Sequence, residues 1–130
     1  MANDISILFI DNTPSTMKGT IEYIELELGY KTHICKNIND GGKLLTQNNC
    51  NVLIIEPMFQ EELAKSSIES VKEFMKSAKQ KGILTIISSA HFEERLHRKY
   101  NLNTGQEYDL YFKKPYDAKN LVSSLKEKIN

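Results

Sequence analysis

Five polar side chains stand at the ends of apolar runs in this 130-residue chain. Asp11 and Asn12 follow "ISILFI", Glu56 follows "NVLII", Ser89 ends "ILTIISS", and Lys114 ends "YDLYFKK". A carboxylate such as Glu56 is costly to bury unless it is paired. If the runs are strands of one parallel sheet, their carboxyl ends meet at one edge, where ligands bind in such sheets. The sequence therefore predicts a polar pocket in which acid, hydroxyl and amine groups face one another.

Composition excludes several classes of protein. The chain has 17 basic and 17 acidic residues, so it lacks the broad positive field of a protein that binds nucleic acid through phosphates. Cys35 and Cys50 form neither a disulfide framework nor a CxxC metal motif, and we expect two reduced thiols. The start "MANDISILFIDN" is not a signal peptide, and no apolar run approaches the roughly 20 residues that cross a bilayer. We expect a cytoplasmic protein that binds neither nucleic acid nor membrane through this domain.

The elements that position these residues alternate along the chain. Short apolar runs predict strands over 5–10, 30–35, 51–55, 83–89 and 108–114. Apolar residues three or four apart predict five intervening or following helices: one that Thr13 caps, 39–49, one ending near Gly82, 91–100, and one that Asp117 caps. Five βα units predict a single α/β domain over 1–130, with a doubly wound parallel sheet covered by helices on both faces.

At its strand ends the sequence resembles the receiver domain of bacterial response regulators, the chemotaxis Y-type fold, over nearly the whole chain. The motifs that carry the resemblance are Asp11-Asn12, Glu56, Ser89-Ala90, Tyr111 and Lys114-Pro115. The resemblance implies a flavodoxin-like fold with strand order 2-1-3-4-5 and a role in two-component, or phosphorelay, signalling rather than an enzymatic activity. It also favours a cis peptide bond at Pro115, since proline makes that isomer accessible.

The resemblance also assigns roles to positions in the pocket. In the family, the strand-three residue is an aspartate that accepts a phosphoryl group from a histidine kinase, and strand-one acids hold Mg²⁺. The hydroxyl and the lysine bind phosphoryl oxygens, here Ser89 and Lys114, and the aromatic, here Tyr111, swings inward. Glu56 stands at the phosphoacceptor position, and Asn12 stands where the family supplies a second acid.

These departures both weaken phosphoryl chemistry. Glu56 is one methylene longer than aspartate, which moves its carboxylate outward by about 1.5 Å. A displacement of about 1 Å can lower a rate roughly a hundredfold. Asn12 removes a charge from a site for a hard cation that prefers carboxylate oxygens. We expect no cofactor, and any Mg²⁺ would be held weakly, through Asp11.

The loop after the third strand departs from the family as well. The family commonly has proline four residues after its aspartate and glycine eight after, where this chain has Gln60 and Ala64. Pro57 follows Glu56 directly and has no backbone N–H to donate. We therefore predict a fixed network in which Glu56 accepts a hydrogen bond from Ser89 and pairs with Lys114.

Three functional hypotheses follow. The first is an atypical receiver, a pseudo-receiver that works without phosphorylation by binding a histidine kinase, a downstream signalling protein or an output domain; a homodimer is left open. Its contact surface would be the fourth helix, fifth strand and fifth helix, including Phe92, Tyr111 and Lys113. The second is a receiver still phosphorylated with Mg²⁺. The third, a flavodoxin-like binder of small molecules, is least favoured because "DNTPST" after strand one has no glycine.

Overall fold

A computed structural model describes residues 4–57 and 65–129, with the backbone alone for residues 65–67. Five parallel strands form one sheet in the order β2-β1-β3-β4-β5, as predicted. The strands are β1 (Ser6–Ile10), β2 (Lys31–Cys35), β3 (Val52–Ile55), β4 (Leu84–Ser89) and β5 (Leu110–Lys113). The helices are α1 (Lys18–Leu28), α2 (Ile38–Gln47), α3 (Lys65–Gln80), α4 (Glu93–Tyr100) and α5 (Ala118–Ile129). Over the described ranges, no helix has the length and apolar character to span a bilayer.

The central strands are buried on both sides, which explains their continuous apolar sequences. Successive side chains of β1 point to opposite faces of the sheet. Ile7 and Phe9 pack in one cluster with residues of α1 and α5, which we call the α1/α5 side. Leu8 and Ile10 pack in the other cluster with residues of α2, α3 and α4, the α2–α4 side. Because both faces are covered, the polar residues that follow these strands gather at the sheet's carboxyl edge.

Three helix starts differ from the prediction, and one of them is that of α4, which begins at Glu93 rather than at 91. Thr13 precedes only a 3-10 turn, Pro14–Met17, and its side chain does not cap it; α1 itself begins at Lys18. The α2 helix begins at Ile38, where the side chain of Asn37 accepts a hydrogen bond from the Asp40 N–H at 2.8 Å. The prediction for α5 is confirmed, since Asp117 Oδ1 accepts from the Lys119 N–H at 2.9 Å. Side-chain caps therefore mark the starts of α2 and α5, whereas α1 begins without one.

The segment 101–109, which we call the approach to β5, is more buried than the sequence indicated. The turn-rich segment "NLNTG" (101–105) predicts a surface loop, but Leu102 within it is only 2% exposed and packs on the α2–α4 side. The strand itself begins at Leu110 rather than at 108. Asp109 instead pairs with Lys79 and accepts a hydrogen bond from the Thr85 N–H. The surface-loop expectation is thus wrong at Leu102, because this apolar residue fills a gap beside α4.

Gly41 is the point where α2 lies closest to the sheet. A Cβ atom placed there would overlap Ile10 Cδ1 and lie 3.3 Å from Ile10 Cγ1, and Ile10 is itself fully buried. Gly42, one position along the same helix, has as its nearest neighbour Phe74 Cε1 at 3.9 Å. The two glycines therefore provide a matched pair with different surroundings.

We expect Gly41→Ala to lower the free energy of unfolding by about 1–2 kcal/mol, because overpacking of a close-packed core outweighs the helix propensity gained. Gly42→Ala should instead raise the free energy of unfolding by about 0.5–1 kcal/mol, since alanine is the better helix former. Urea denaturation of both variants measures the difference. Equal effects of the two substitutions would contradict the close approach at Gly41.

Tyr108 links the approach to β5 with α4. Its ring is 2% exposed and its hydroxyl donates to Glu93 Oε2 at 2.6 Å. Burial, followed by the hydrogen bond to Glu93, raises the pKa of Tyr108 to about 12. The folded state therefore favours the neutral phenol.

This raised pKa predicts a pH dependence of stability. The contribution of Tyr108 is fully present below pH 10.0, its ordinary value, and is lost as the pH rises toward about 12. We expect the free energy of unfolding to fall over this range as the Tyr108 hydroxyl ionises. Denaturation of Tyr108→Phe isolates the effect, because its decline should be shallower. Parallel curves for the two proteins would overturn this assignment.

Candidate functional site

The sheet register brings the predicted site residues to one edge. Ile10 pairs with Ile55, which pairs with Ile87, so Asp11 and Glu56 leave neighbouring strands at the same level. The Lys114 N–H donates to the Ser89 carbonyl at 2.7 Å, which places the end of β5 beside the end of β4. The Lys114–Pro115 peptide bond is cis, the isomer expected from the sequence.

Asp11 follows β1 and is engaged through both oxygens of its carboxylate. It is 3% exposed, and its Oδ2 accepts from Lys114 Nζ at 2.5 Å. Its Oδ1 accepts from the Thr13 N–H at 2.9 Å and from the Thr13 hydroxyl at 3.1 Å. Both oxygens of the carboxylate therefore have protein partners, and the turn before α1 is built around them.

Glu56 reaches across to the β4–α4 loop. Its side chain is buried, at 7% exposed, and Oε2 accepts a hydrogen bond from the Ala90 N–H at 3.3 Å. The bonds expected from Ser89 and Lys114 to Glu56 stay predictions. The acid at the end of β3 thus binds the backbone one residue beyond the end of β4.

The same loop is held by two further side chains. Ser89 Oγ accepts from the His91 N–H at 3.0 Å, which closes a local turn. The hydroxyl of Tyr111 donates to the His91 carbonyl, and its half-buried ring packs on the α2–α4 side. Burial, and then the negative charges of Glu93 and Glu56, raise the pKa of Tyr111. Glu56 and Tyr111 therefore bind successive residues of one loop; the switching role of Tyr111 stays a prediction.

Tyr116 is a site residue that sequence reasoning missed. Its hydroxyl lies 2.8 Å from Ser88 Oγ, and its ring packs near Phe112 with centroids 5.3 Å apart. Burial raises the pKa of Tyr116, and the hydrogen bond with Ser88 lowers it by less. The negative charges of Asp11 and Glu56 raise this pKa further. An aromatic residue directly after Lys114-Pro115 was the available signal, because the chain there passes beside the strand ends.

In the described ranges, the acids at this edge accept hydrogen bonds from protein donors. The described ranges contain no group of three or more His, Cys, Asp or Glu side chains placed to hold a metal. Both oxygens of Asp11 are engaged, Asn12 is exposed, and Pro57 is buried beside Glu56 without an N–H to donate. The positions of Gln60 and Ala64 lie outside the described residues.

Solved structures of receiver domains share this architecture. A CheY-like response regulator receiver domain protein from Methanospirillum hungatei JF-1 superposes with a TM-score of 0.72 at 19% identity, covering 96% of this chain and 93% of that one. A response regulator from Thermotoga maritima gives 0.74 at 14% identity, covering 96% and 97%. An orphan response regulator of H. pylori gives 0.71 at 20% identity, covering 100% of each chain. No family model and no curated protein matches the sequence. At these identities the likeness establishes the receiver fold.

The Asp11–Lys114 pair gives a direct test of the site. Lys114→Met leaves a buried carboxylate without its cation, and we expect the free energy of unfolding to fall by about 3 kcal/mol. The double variant Lys114→Met, Asp11→Asn should recover part of that loss, since no buried charge is then left unpaired. Urea denaturation measures both.

Lys113→Met is the matched control, because it removes a neighbouring lysine that does not contact Asp11 in an ion pair. Its effect should stay near 1 kcal/mol or below. Equal losses for the two lysines would show that the buried pair does not stabilise this edge.

Proposed function

We propose that this chain is an atypical receiver domain, a protein-interaction module of two-component signalling that does not use an aspartyl phosphate. The observation that carries the proposal is the hydrogen bond from the Ala90 N–H to the Glu56 carboxylate. The side chain that follows β3 thereby binds the β4–α4 loop through its own carboxylate. We do not assign an enzymatic activity to it.

The length of Glu56 accounts for this contact. The residue leaves β3 at the same level as Asp11 leaves β1, and its backbone N–H donates to the Ile10 carbonyl at 2.9 Å. From there the carboxylate spans the sheet edge to Ala90. Aspartate would end about 1.5 Å short, by the length of one C–C bond. The extra methylene thus supplies the reach to the loop.

The charges of the pocket support a state without metal. Asp11 and Glu56 face a single lysine, Lys114, which leaves one formal negative charge among these three groups. Asn12 adds no charge and is exposed. The carboxylates have hydrogen-bond donors from Thr13 and from Ala90 in addition to the ion pair. Hydrogen bonds and pairing of this kind stabilise buried carboxylates without a cation.

The loop that Glu56 holds leads into the proposed contact surface, made of α4, β5 and α5. Phe92 is 68% exposed, and Lys113 Nζ lies 4.7 Å from the centre of its ring. An exposed aromatic residue beside a cation is typical of a protein-binding surface. A cytoplasmic histidine kinase, a downstream signalling protein or an output domain is the class of partner we propose.

A second candidate is a receiver that remains phosphorylated with Mg²⁺. The observation that favours it is the position of Ser89 and Lys114, which lie at adjacent strand ends beside the two acids. It requires a cation to displace Lys114 or Thr13 from Asp11, because those groups occupy its oxygens.

Amide NMR spectra recorded during addition of Mg²⁺ and then beryllofluoride, a phosphoryl analogue, distinguish the two candidates. We expect no saturable shifts at Asp11, Glu56 or Ala90 in the native protein. The double variant Glu56→Asp, Asn12→Asp should show them, because it supplies a shorter acceptor and a second acid for the metal.

The control variant Glu127→Asp, Asn120→Asp makes the same two chemical changes on exposed positions of α5. It should behave as the native protein does. Saturable shifts around Asp11 and Ala90 in the native protein would overturn the proposal and establish the second candidate.

A further inference from the structure

Two large apolar side chains are strongly exposed in the described part of the chain. Leu26 on α1 is 83% exposed, and Phe92, which precedes α4, is 68% exposed. Single exposed apolar residues are common on protein surfaces, so exposure alone indicates little. The charges around each of these two side chains, however, differ in sign.

The α1 face consists of Leu26 with Glu22, Glu25 and Glu27, all exposed. Glu22 lies four residues before Leu26, so the two side chains share one side of the helix. Lys18 is the one basic residue within α1, which leaves the helix with two net negative charges. The neighbouring α5 carries the exposed lysines Lys119, Lys126 and Lys128, so the negative charge belongs to α1 and does not extend over α5.

The α4 face consists of Phe92 with Arg95, Arg98, Lys99 and Lys113. Four of these five line an open depression of about 390 Å³ together with Glu94. Glu94 pairs with Arg98 at 2.7 Å, while Glu93 turns away to accept from Tyr108. With both glutamates counted, this face keeps two net positive charges.

The two faces cannot meet within one molecule. The α1 helix packs on the α1/α5 side of the sheet and α4 packs on the opposite side. A symmetric contact between two α4 faces would bring arginine against arginine, and like charges in contact disfavour association. Contact between the α1 face of one copy and the α4 face of another pairs opposite charges around two apolar side chains.

We propose that copies of this chain associate head to tail, with Leu26 of one copy seated in the depression beside Phe92 of the next. A head-to-tail contact is heterologous and leaves one unused face at each end of the assembly. Association therefore continues by adding further copies. This proposal does not depend on whether Glu56 replaces a phosphorylation site.

Sedimentation velocity over protein concentrations of about 10 μM to 1 mM tests the proposal, since weak contacts have dissociation constants in this range. The average mass of the native protein should rise with protein concentration and fall when salt is added. Variant A (Glu22→Lys, Glu27→Lys) reverses the α1 face, and variant B (Arg95→Glu, Lys99→Glu) reverses the α4 face. Each alone should associate at least about tenfold more weakly than the native protein.

An equimolar mixture of variants A and B is the decisive sample. Each variant then presents a face complementary to the other, so association should return. Lys43→Glu, Lys81→Glu has the same charge change as variant B at exposed positions away from both faces, and it should associate as the native protein does. Circular dichroism confirms that every variant is folded.

Three outcomes would overturn the proposal. The first is a native protein that stays monomeric over the whole concentration range at low salt. The second is a variant A that associates as strongly as the native protein, which would indicate a symmetric contact through α4 or another surface. The third is a mixture of A and B that does not recover association.

Discussion

The ion pair between Asp11 and Lys114 joins the first strand to the end of the last one across 103 residues of sequence. It closes the carboxyl edge of the sheet, where the polar residues at the ends of β1, β3, β4 and β5 lie. Asp11 also accepts two hydrogen bonds from Thr13, in the turn before α1. One carboxylate therefore joins this turn to the end of β5. Glu56 leaves β3 at the level of Asp11, and the Ser89 carbonyl accepts from the Lys114 N–H, so both residues lie beside this pair.

Apolar runs and helical spacing sufficed to predict the five strands and the parallel sheet, because strands covered on both faces must be apolar throughout. The strand order came from the resemblance to receiver domains. The same patterns placed Asp11, Glu56, Ser89 and Lys114 at one edge. Spacing could not indicate which donor each carboxylate accepts from, since the choice depends on differences of about 1–2 Å in side-chain reach. The bond from the Ala90 N–H to Glu56 was therefore not predicted.

Residues in irregular segments were harder to place. Leu102, in a stretch of turn residues, is buried because it fills space beside α4, and no periodic pattern indicates this. Tyr116 follows a proline and lies outside any strand, yet it contacts Ser88 at the sheet edge. The α2 helix begins one residue before the predicted start at 39, because the side chain of Asn37 caps it. For Leu102 and Tyr116, tertiary contacts rather than local preference decided the outcome, whereas the start of α2 depends on a local hydrogen bond.

The contact between Glu56 and Ala90 differs from a phosphoryl contact in how long it lasts. A phosphoryl group is added and removed while a chain persists, whereas a carboxylate that belongs to the side chain is present from the moment of folding. Under the proposed function, the contact with Ala90 would last until the chain unfolds or is degraded. A cell would then adjust the output of this domain through the amount it synthesises and degrades, and the response would follow the lifetime of the protein.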